Sequence, residues 1–363
     1  MNKEKKELWH QGEIGPDVVL RDVCKDTVNN VLVAVGDDGR IFRRYGAGVG
    51  WMTCVSGFGK EDHVFGVATD NNGNFWACGR GGFILKSDNQ GVTWSTKRKQ
   101  IGDGNVMKLA AGNGMLLAIL DRSNLKKNNV FLKSTDAGET WFEFICGIPN
   151  ACSIEFLASR FYVGTKSKNI FCGNGTDKFL PVRWDSLSFN FEGARCLGYN
   201  EVTKTFFAGG HQLATSLDGV EWWAKLDLTK HEQFGKRNIQ AVVPVNEDTF
   251  LIGEDMLMFN YRDALFVQVG SIGKGSVLGA VLHDDRIITV GSAGERYILL
   301  DDLGVPGETI PTIPPLPVPP PPVPPTPTPP VPPTPESLEK RVENVLVDIE
   351  RDIALIREMV KGK

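Results

Sequence analysis

Two pairs of adjacent carboxylates, Asp37-Asp38 and Glu254-Asp255, are the side chains in this 363-residue sequence best suited to acid–base work. Glycosidic hydrolysis needs two carboxyl groups flanking the bond, one to protonate the leaving oxygen and one to attack or activate water. Each pair, however, interrupts two apolar runs, where acids are common because Asp bonds its own backbone in turns. Turn formation is the expected role. Five histidines (His10, His63, His211, His231, His283) show neither H-x-x-x-H nor H-E-x-x-H spacing, so no metal site is predicted. The seven cysteines (Cys24, Cys54, Cys78, Cys146, Cys152, Cys172, Cys196) are scattered without a C-x-x-C pair and are expected to be reduced, mostly buried thiols. "GRGG" at Gly79 to Gly82 recurs as "GDDG" and "GSAG" with no helix following, which makes it a turn and not a phosphate loop. The sequence therefore assigns no catalytic residue, no metal and no cofactor, and reads as a non-enzyme.

The elements that would position such side chains are short strands. The composition, 41% hydrophobic and 23% charged with 40 glycines, favours tight turns over long helices. In "VFGVATDNNGNFWACGRGGFILKSDNQGVTW" (Val64 to Trp94) two apolar runs flank an Asn-Asn-Gly turn, and a glycine-rich turn leads to a third run, a polar box and a closing Trp. This is the plan of a four-stranded meander. Val106 to Trp141 and Ala194 to Trp223 follow it with a box; Val23 to Trp51, Cys152 to Trp184 and Ile239 to Val269 follow it without one. Closing aromatics at Trp51, Trp94, Trp141, Trp184, Trp222 or Trp223, and Phe266 recur every 39 to 47 residues, the period of a β-propeller. A seventh unit, Val277 to Leu300, supplies only three strands. Trp9 in "ELWHQGEI" lies 42 residues before Trp51, so the N-terminal segment is expected to supply the missing strand and close the ring. The fold predicted is all-β, a seven-bladed propeller over residues 1–305.

The boxes resemble the Asp-box, or BNR, repeat S-x-D-x-G-x-T-W of sialidases, sortilin-type receptors, xyloglucanases and the photosystem II assembly factor family. Ser134, Asp136, Gly138, Thr140 and Trp141 match throughout; Ser87, Gly91, Thr93 and Trp94 match with Asn89 in the Asp place; Ser216, Asp218, Gly219 and Trp222 match a version one residue shorter. The resemblance covers residues 8 to 300 and implies structural turns between third and fourth strands, on the face away from the binding site. The sialidase chemistry does not carry over, because there is no R-I-P motif and no arginine triad can be assembled.

That leaves the opposite face for recognition. Its longest loops, Asp121 to Val130 and Ala224 to Asn238, carry Arg122, Lys126, Lys127, Lys225, Lys230, His231, Lys236 and Arg237. In a protein of net charge -4 this basic set is expected to attract an anionic surface polymer such as a host glycan, with salt weakening the attraction. The acidic balance argues against nucleic acid as partner. No export signal and no membrane span is read from the sequence.

Residues 306–335 change character: proline fills 16 of the 25 positions from Pro311 to Pro335, which predicts a polyproline II linker about 75 Å long at about 3.1 Å per residue. Residues 336–363 read as an amphipathic helix with Val342, Leu346, Ile349, Ile353, Ile356 and Val360 on an a/d seam, β-branched enough to favour a trimer or to dock in a groove. Head, stalk and coil together resemble the appendages of tailed-bacteriophage virions. The expectation is a virion fibre protein, anchored to other virion proteins through its C-terminal helix, with a photosystem-factor-like scaffold and a glycoside hydrolase as the alternatives.

Overall fold

The computed structural model describes residues 9–303 except 47–48, 99–103, 123–129, 145, 168, 176–178, 185–190, 192, 228–236, 255–257, 263–264 and 271–275. The proline-rich linker and the C-terminal seam lie outside the described residues. Seven sheets follow one another along the chain, each an antiparallel meander, one of them with a short parallel strand added at its outer edge. The first blade is typical, with strands Leu20–Asp26, Val31–Gly36, Ile41–Tyr45 and Met52–Cys54. The first strands of the later blades are Val64–Thr69, Asn105–Gly112, Ala151–Leu157, Cys196–Asn200, Ile239–Val245 and Val277–His283. Each packs against the first strands of both neighbouring blades, so seven of them ring the central axis. The second strands are almost wholly buried, as in Val31–Gly36 and Phe75–Gly79, because they are covered by a blade on each side.

The seventh blade is completed from the other end of the chain. His10–Gln11 pairs antiparallel with Gly294–Leu299 through His10↔Tyr297 and Gln11↔Arg296. Trp9, 5% exposed, is packed into a core cluster with Phe250, Ile287 and Ile298, which explains its place one period before Trp51. The strand pairing is short, and Glu295 reinforces it. Its Oε2 accepts the Glu13 and Ile14 N–H groups at 2.8 and 3.3 Å, while Gly12 N–H bonds the Glu295 carbonyl at 3.0 Å. Arg44 Nη1 lies 3.8 Å from the buried Glu295 carboxylate and supplies opposite charge.

The boxes form turns on one hydrogen-bond plan. Ser134 Oγ accepts the Gly138 N–H at 2.9 Å, Asp136 accepts the Thr140 N–H at 2.9 Å, and Trp141 Nε1 donates to the Gly138 carbonyl at 3.0 Å. Ser87, Asn89, Gly91 and Trp94 repeat it, with Asn89 taking the Thr93 N–H at 2.9 Å. In the shorter box Asp218 accepts the Val220 and Glu221 N–H groups, each at 2.8 Å, and Trp222 Nε1 reaches the Gly219 carbonyl. These bonds hold the exposed Asp136 carboxyl down at about 2, the Thr140 hydroxyl being the largest contributor.

One boundary differs from the sequence reading. Trp184 does not close the fourth blade: Leu180–Pro181 is that blade's outer strand, and Arg183–Trp184 runs parallel to the fifth blade's outer strand, with Trp184↔Trp222 paired. Trp184 stacks on Phe191 at 5.0 Å, so its burial is met by the next blade.

Candidate functional site

The end of the propeller opposite the boxes is shaped by a recurring bulge. In six of the seven blades the pairing of first and second strands shifts register at the same place: Leu20/Asp22, Val64/Gly66, Val106/Lys108, Ala151/Ser153, Ile239/Ala241 and Val277/Gly279. A bulge leaves one residue unpaired and re-aims its side chain. Here those residues are Arg21, Phe65, Met107, Cys152, Gln240 and Leu278, with Arg195 in the corresponding place of the fifth blade.

Each bulge residue has a companion just beyond the second strand, and in two blades the pair is chemically complete. Arg21 grips Asp37 through two bonds of 2.8 and 2.9 Å, and His63 Nδ1 lies 3.2 Å from the same carboxylate. In the sixth blade Gln240 Nε2 and Asn238 Nδ2 donate to Glu254 Oε1 at 3.1 and 3.0 Å. Asp37 and Glu254, the described acids of the two candidate carboxylate pairs, are thus engaged by their own blade ends, and Asp38 faces Arg40 at 3.6 Å. Asp255 lies outside the described residues.

The fourth and fifth blades offer cations there instead. Their companions are Cys152 with Lys166, and Arg195 with His211, so neither pair contains a carboxylate. Lys166 and Arg195 are exposed, and no ion pair engages either among the described residues. They are neighbours: Ala194 N–H bonds the Thr165 carbonyl at 2.9 Å, across the seam between the blades. Both act on Cys152, whose thiol burial pushes up to about 11 while Arg195 and then Lys166 pull it partly back. The buried Nδ1 of His211 has no hydrogen-bond partner.

Further along the axis the first strands carry three charges. Lys108 Nζ meets Asp22 Oδ2 at 2.8 Å, a bridge from the third blade to the first made across Gly66, the residue at the same register place in the second. Asp22 Oδ2 also accepts the Val67 N–H at 3.1 Å. Desolvation lowers the Lys108 ammonium, but attraction and hydrogen bonding to Asp22 outweigh it, and the net shift is upward. Glu155 keeps accessible surface in the channel, yet the protein wall around it pushes its carboxyl up to about 7, with Lys108 opposing. The seven cysteines are all unpaired, and burial raises the thiols of Cys24, Cys78 and Cys196. Among the described residues no group of His, Cys, Asp and Glu converges as a metal site.

The basic residues singled out in the sequence are only partly brought to this face. Arg122 pairs with Glu143, so its charge is compensated. Lys225 belongs to the outer strand Glu221–Asp227 and is exposed there, a correction to its reading as a loop residue: the strand runs past Trp223. Arg237 stands at the entry to the sixth blade and is engaged. Lys126, Lys127, Lys230, His231 and Lys236 lie outside the described residues. Lys166 and Arg195 were missed because neither lies in a long loop. Aligning the blades on their bulges would have shown Lys166 in the place of Asp37 and Glu254, and Arg195 facing His211 where Arg21 faces Asp37.

The chain matches no protein-family model and no curated protein. Solved structures match over most of its length. A structure titled "YCF48 bound to D1 peptide" superposes with a TM-score of 0.61 at 13% identity, covering 81% of this chain and 97% of that one. YCF48 from Cyanidioschyzon merolae gives 0.60 at 13%, covering 81% and 100%. The WD40 propeller of Doa1 gives 0.60 at 15%, covering 80% and 96%. The shared property is the fold. At such identity these likenesses establish a propeller scaffold and leave its activity to the site.

Proposed function

We propose that the propeller is a non-catalytic recognition head whose bulge end docks an anionic partner, carried as a virion appendage and anchored through residues 336–363. The observation that carries this reading is the pair Lys166 and Arg195, exposed side by side without an acid: Lys166 holds the register place of Asp37 and Glu254, and Arg195, at the place of Arg21, faces His211 where Arg21 faces Asp37. A partner's carboxylates would complete the pattern. The YCF48 structure solved with a D1 peptide supports a peptide or protein as the partner of such a scaffold. The stalk and seam in the sequence support attachment to a larger particle.

Lys166→Glu with Arg195→Glu tests the head. Binding of a fluorescent Asp/Glu-rich peptide should weaken at least about tenfold and lose its salt dependence. Unchanged binding in that variant, with loss on reversal of Lys126, Lys127, Lys236 and Arg237 instead, would move the site to the loops. Immunogold labelling of purified virions with antibody to the propeller tests the setting, and unlabelled particles would reject it.

A further inference from the structure

The seam between the fifth and sixth blades differs at the box end from the three seams that carry a box. At those three a box glycine at positive φ presses onto the second strand of the preceding blade. A Cβ at Gly91 would collide with Val33, at Gly138 with Trp76, and at Gly219 with Tyr162. Val33, Trp76 and Tyr162 share one register place, opposite Cys24, Ala68 and Glu155. Phe207, opposite Gly198, holds that place in the fifth blade. The sixth blade has no box to cover it: its third and fourth strands pair through to Arg262↔Leu265, leaving residues 263–264 as the connection. At this seam lies a cavity of about 410 Å³, floored by Phe207 and Tyr261 and walled by Thr203, Thr205, Thr249 and Glu247.

We propose that this cavity binds a neutral saccharide ring. Its volume is within the range that encloses a small ligand. Tyr261 is half-buried and offers its ring to the C–H face of a sugar, while Phe207, 1% exposed, backs it edge to face with centroids 5.4 Å apart. The exposed Thr203 hydroxyl can both donate and accept, and that of Thr205, which donates to the Thr203 carbonyl, is left to accept, the two capacities a polyol requires. Among the described lining residues there is no lysine, arginine or histidine to set against an anionic ligand. Glu247 is exposed at the rim without an ion pair among the described residues; its charge is screened there and is a weak anchor for a cation, but it remains a good acceptor for a hydroxyl. The walls are set in advance. Asn200 Nδ2 donates to the Asn246 and Asp248 carbonyls and to Thr249 Oγ1, all within 3.0 Å, fixing the sixth blade's turn against the fifth.

This site is at the opposite end from Lys166 and Arg195 and stands independently of the anionic partner. Saturation-transfer NMR on the full chain, with the methyl glycosides of glucose, galactose, mannose and N-acetylglucosamine as probes, tests it. At least one glycoside should bind. Its affinity should fall at least about tenfold in Thr205→Val/Glu247→Gln, which removes two polar partners, and in Thr203→Trp, which fills the space from an exposed turn. It should be unchanged in Lys166→Glu/Arg195→Glu. The proposal is overturned if no glycoside gives a signal, if Thr203→Trp binds as the parent does, or if only arginine methyl ester, run as a cationic control, is bound.

Discussion

Glu155 in the channel and His283 in the core are shifted in opposite directions, and their effects on stability run against each other. Glu155 titrates near 7 in the folded chain, above its ordinary 4.5, so between those values the native state holds a proton that the unfolded state has lost. Its contribution therefore falls as pH rises through that window. His283, 1% exposed and 3.3 Å from Asp284, is pushed down to about 4 chiefly by burial. The unfolded state binds its proton first, and stability is lost as pH falls from 6.5 towards 4. Glu155→Gln should thus leave a profile that rises with pH over that range and should stabilise the protein at pH 8 by on the order of 1 kcal/mol, a figure discounted for channel water. Urea denaturation at pH 5 and pH 8 reads both effects, and an unaltered slope would contradict the assignment. A second residue-scale test separates turn strain from packing. Gly138→Ala meets both a positive φ and Trp76, and should cost roughly 2–4 kcal/mol; Gly114→Ala meets positive φ in open space, and should cost about 1–2 kcal/mol.

The element that decides ring closure is the two-residue strand His10–Gln11. So short a pairing contributes little by itself, and most of its hold comes from Trp9 in the core and from Glu295 capping the backbone of Glu13 and Ile14. Trp9→Ala should destabilise by about 3–5 kcal/mol, the usual cost of emptying a large aromatic site. Removing residues 1–14 goes further, since it uncovers the edge of Gly294–Leu299 and leaves a sheet edge open to pairing. Aggregation or a sharply lowered melting temperature is the expected result; a truncated chain that melts with the parent would show that closure needs no N-terminal strand.

At the scale of the whole molecule, the head and the C-terminal seam are expected to have separate jobs. Burying charge at Ile349 and Ile353 in a seam of this length should break it. Ile349→Asp/Ile353→Asp should sediment as a monomer, or lose its place on the particle, while retaining the parent's binding of peptide and glycoside at the two ends of the propeller. If mutant and parent sediment alike and attach alike, the seam neither trimerises nor docks the chain.

The blade period, the boxes and the closing role of Trp9 were legible in the sequence because each is a local or periodic signal. A turn needs Gly and Asp at fixed offsets, a second strand covered on both faces is continuously apolar, and an orphan Trp one period upstream of Trp51 has one open place to go. Trp184 misled for the same reason: it keeps the period, but what buries it is Phe191 and Trp222 of the next blade. The sites depended on what stands beside what across blades. Asp22 and Lys108 look like unrelated polar residues until the ring brings their strands together across Gly66. Lys166 and Arg195 are ordinary surface cations until Lys166 is seen to stand where Asp37 and Glu254 stand elsewhere, and Arg195 to face His211 where Arg21 faces Asp37. The cavity over Phe207 lies at a seam where the sixth blade brings no box turn, whereas the second, third and fifth blades press one onto the blade before them. Side chains separated by one or two repeats carry no joint signal along the chain, and only the closed ring fixes which of them meet.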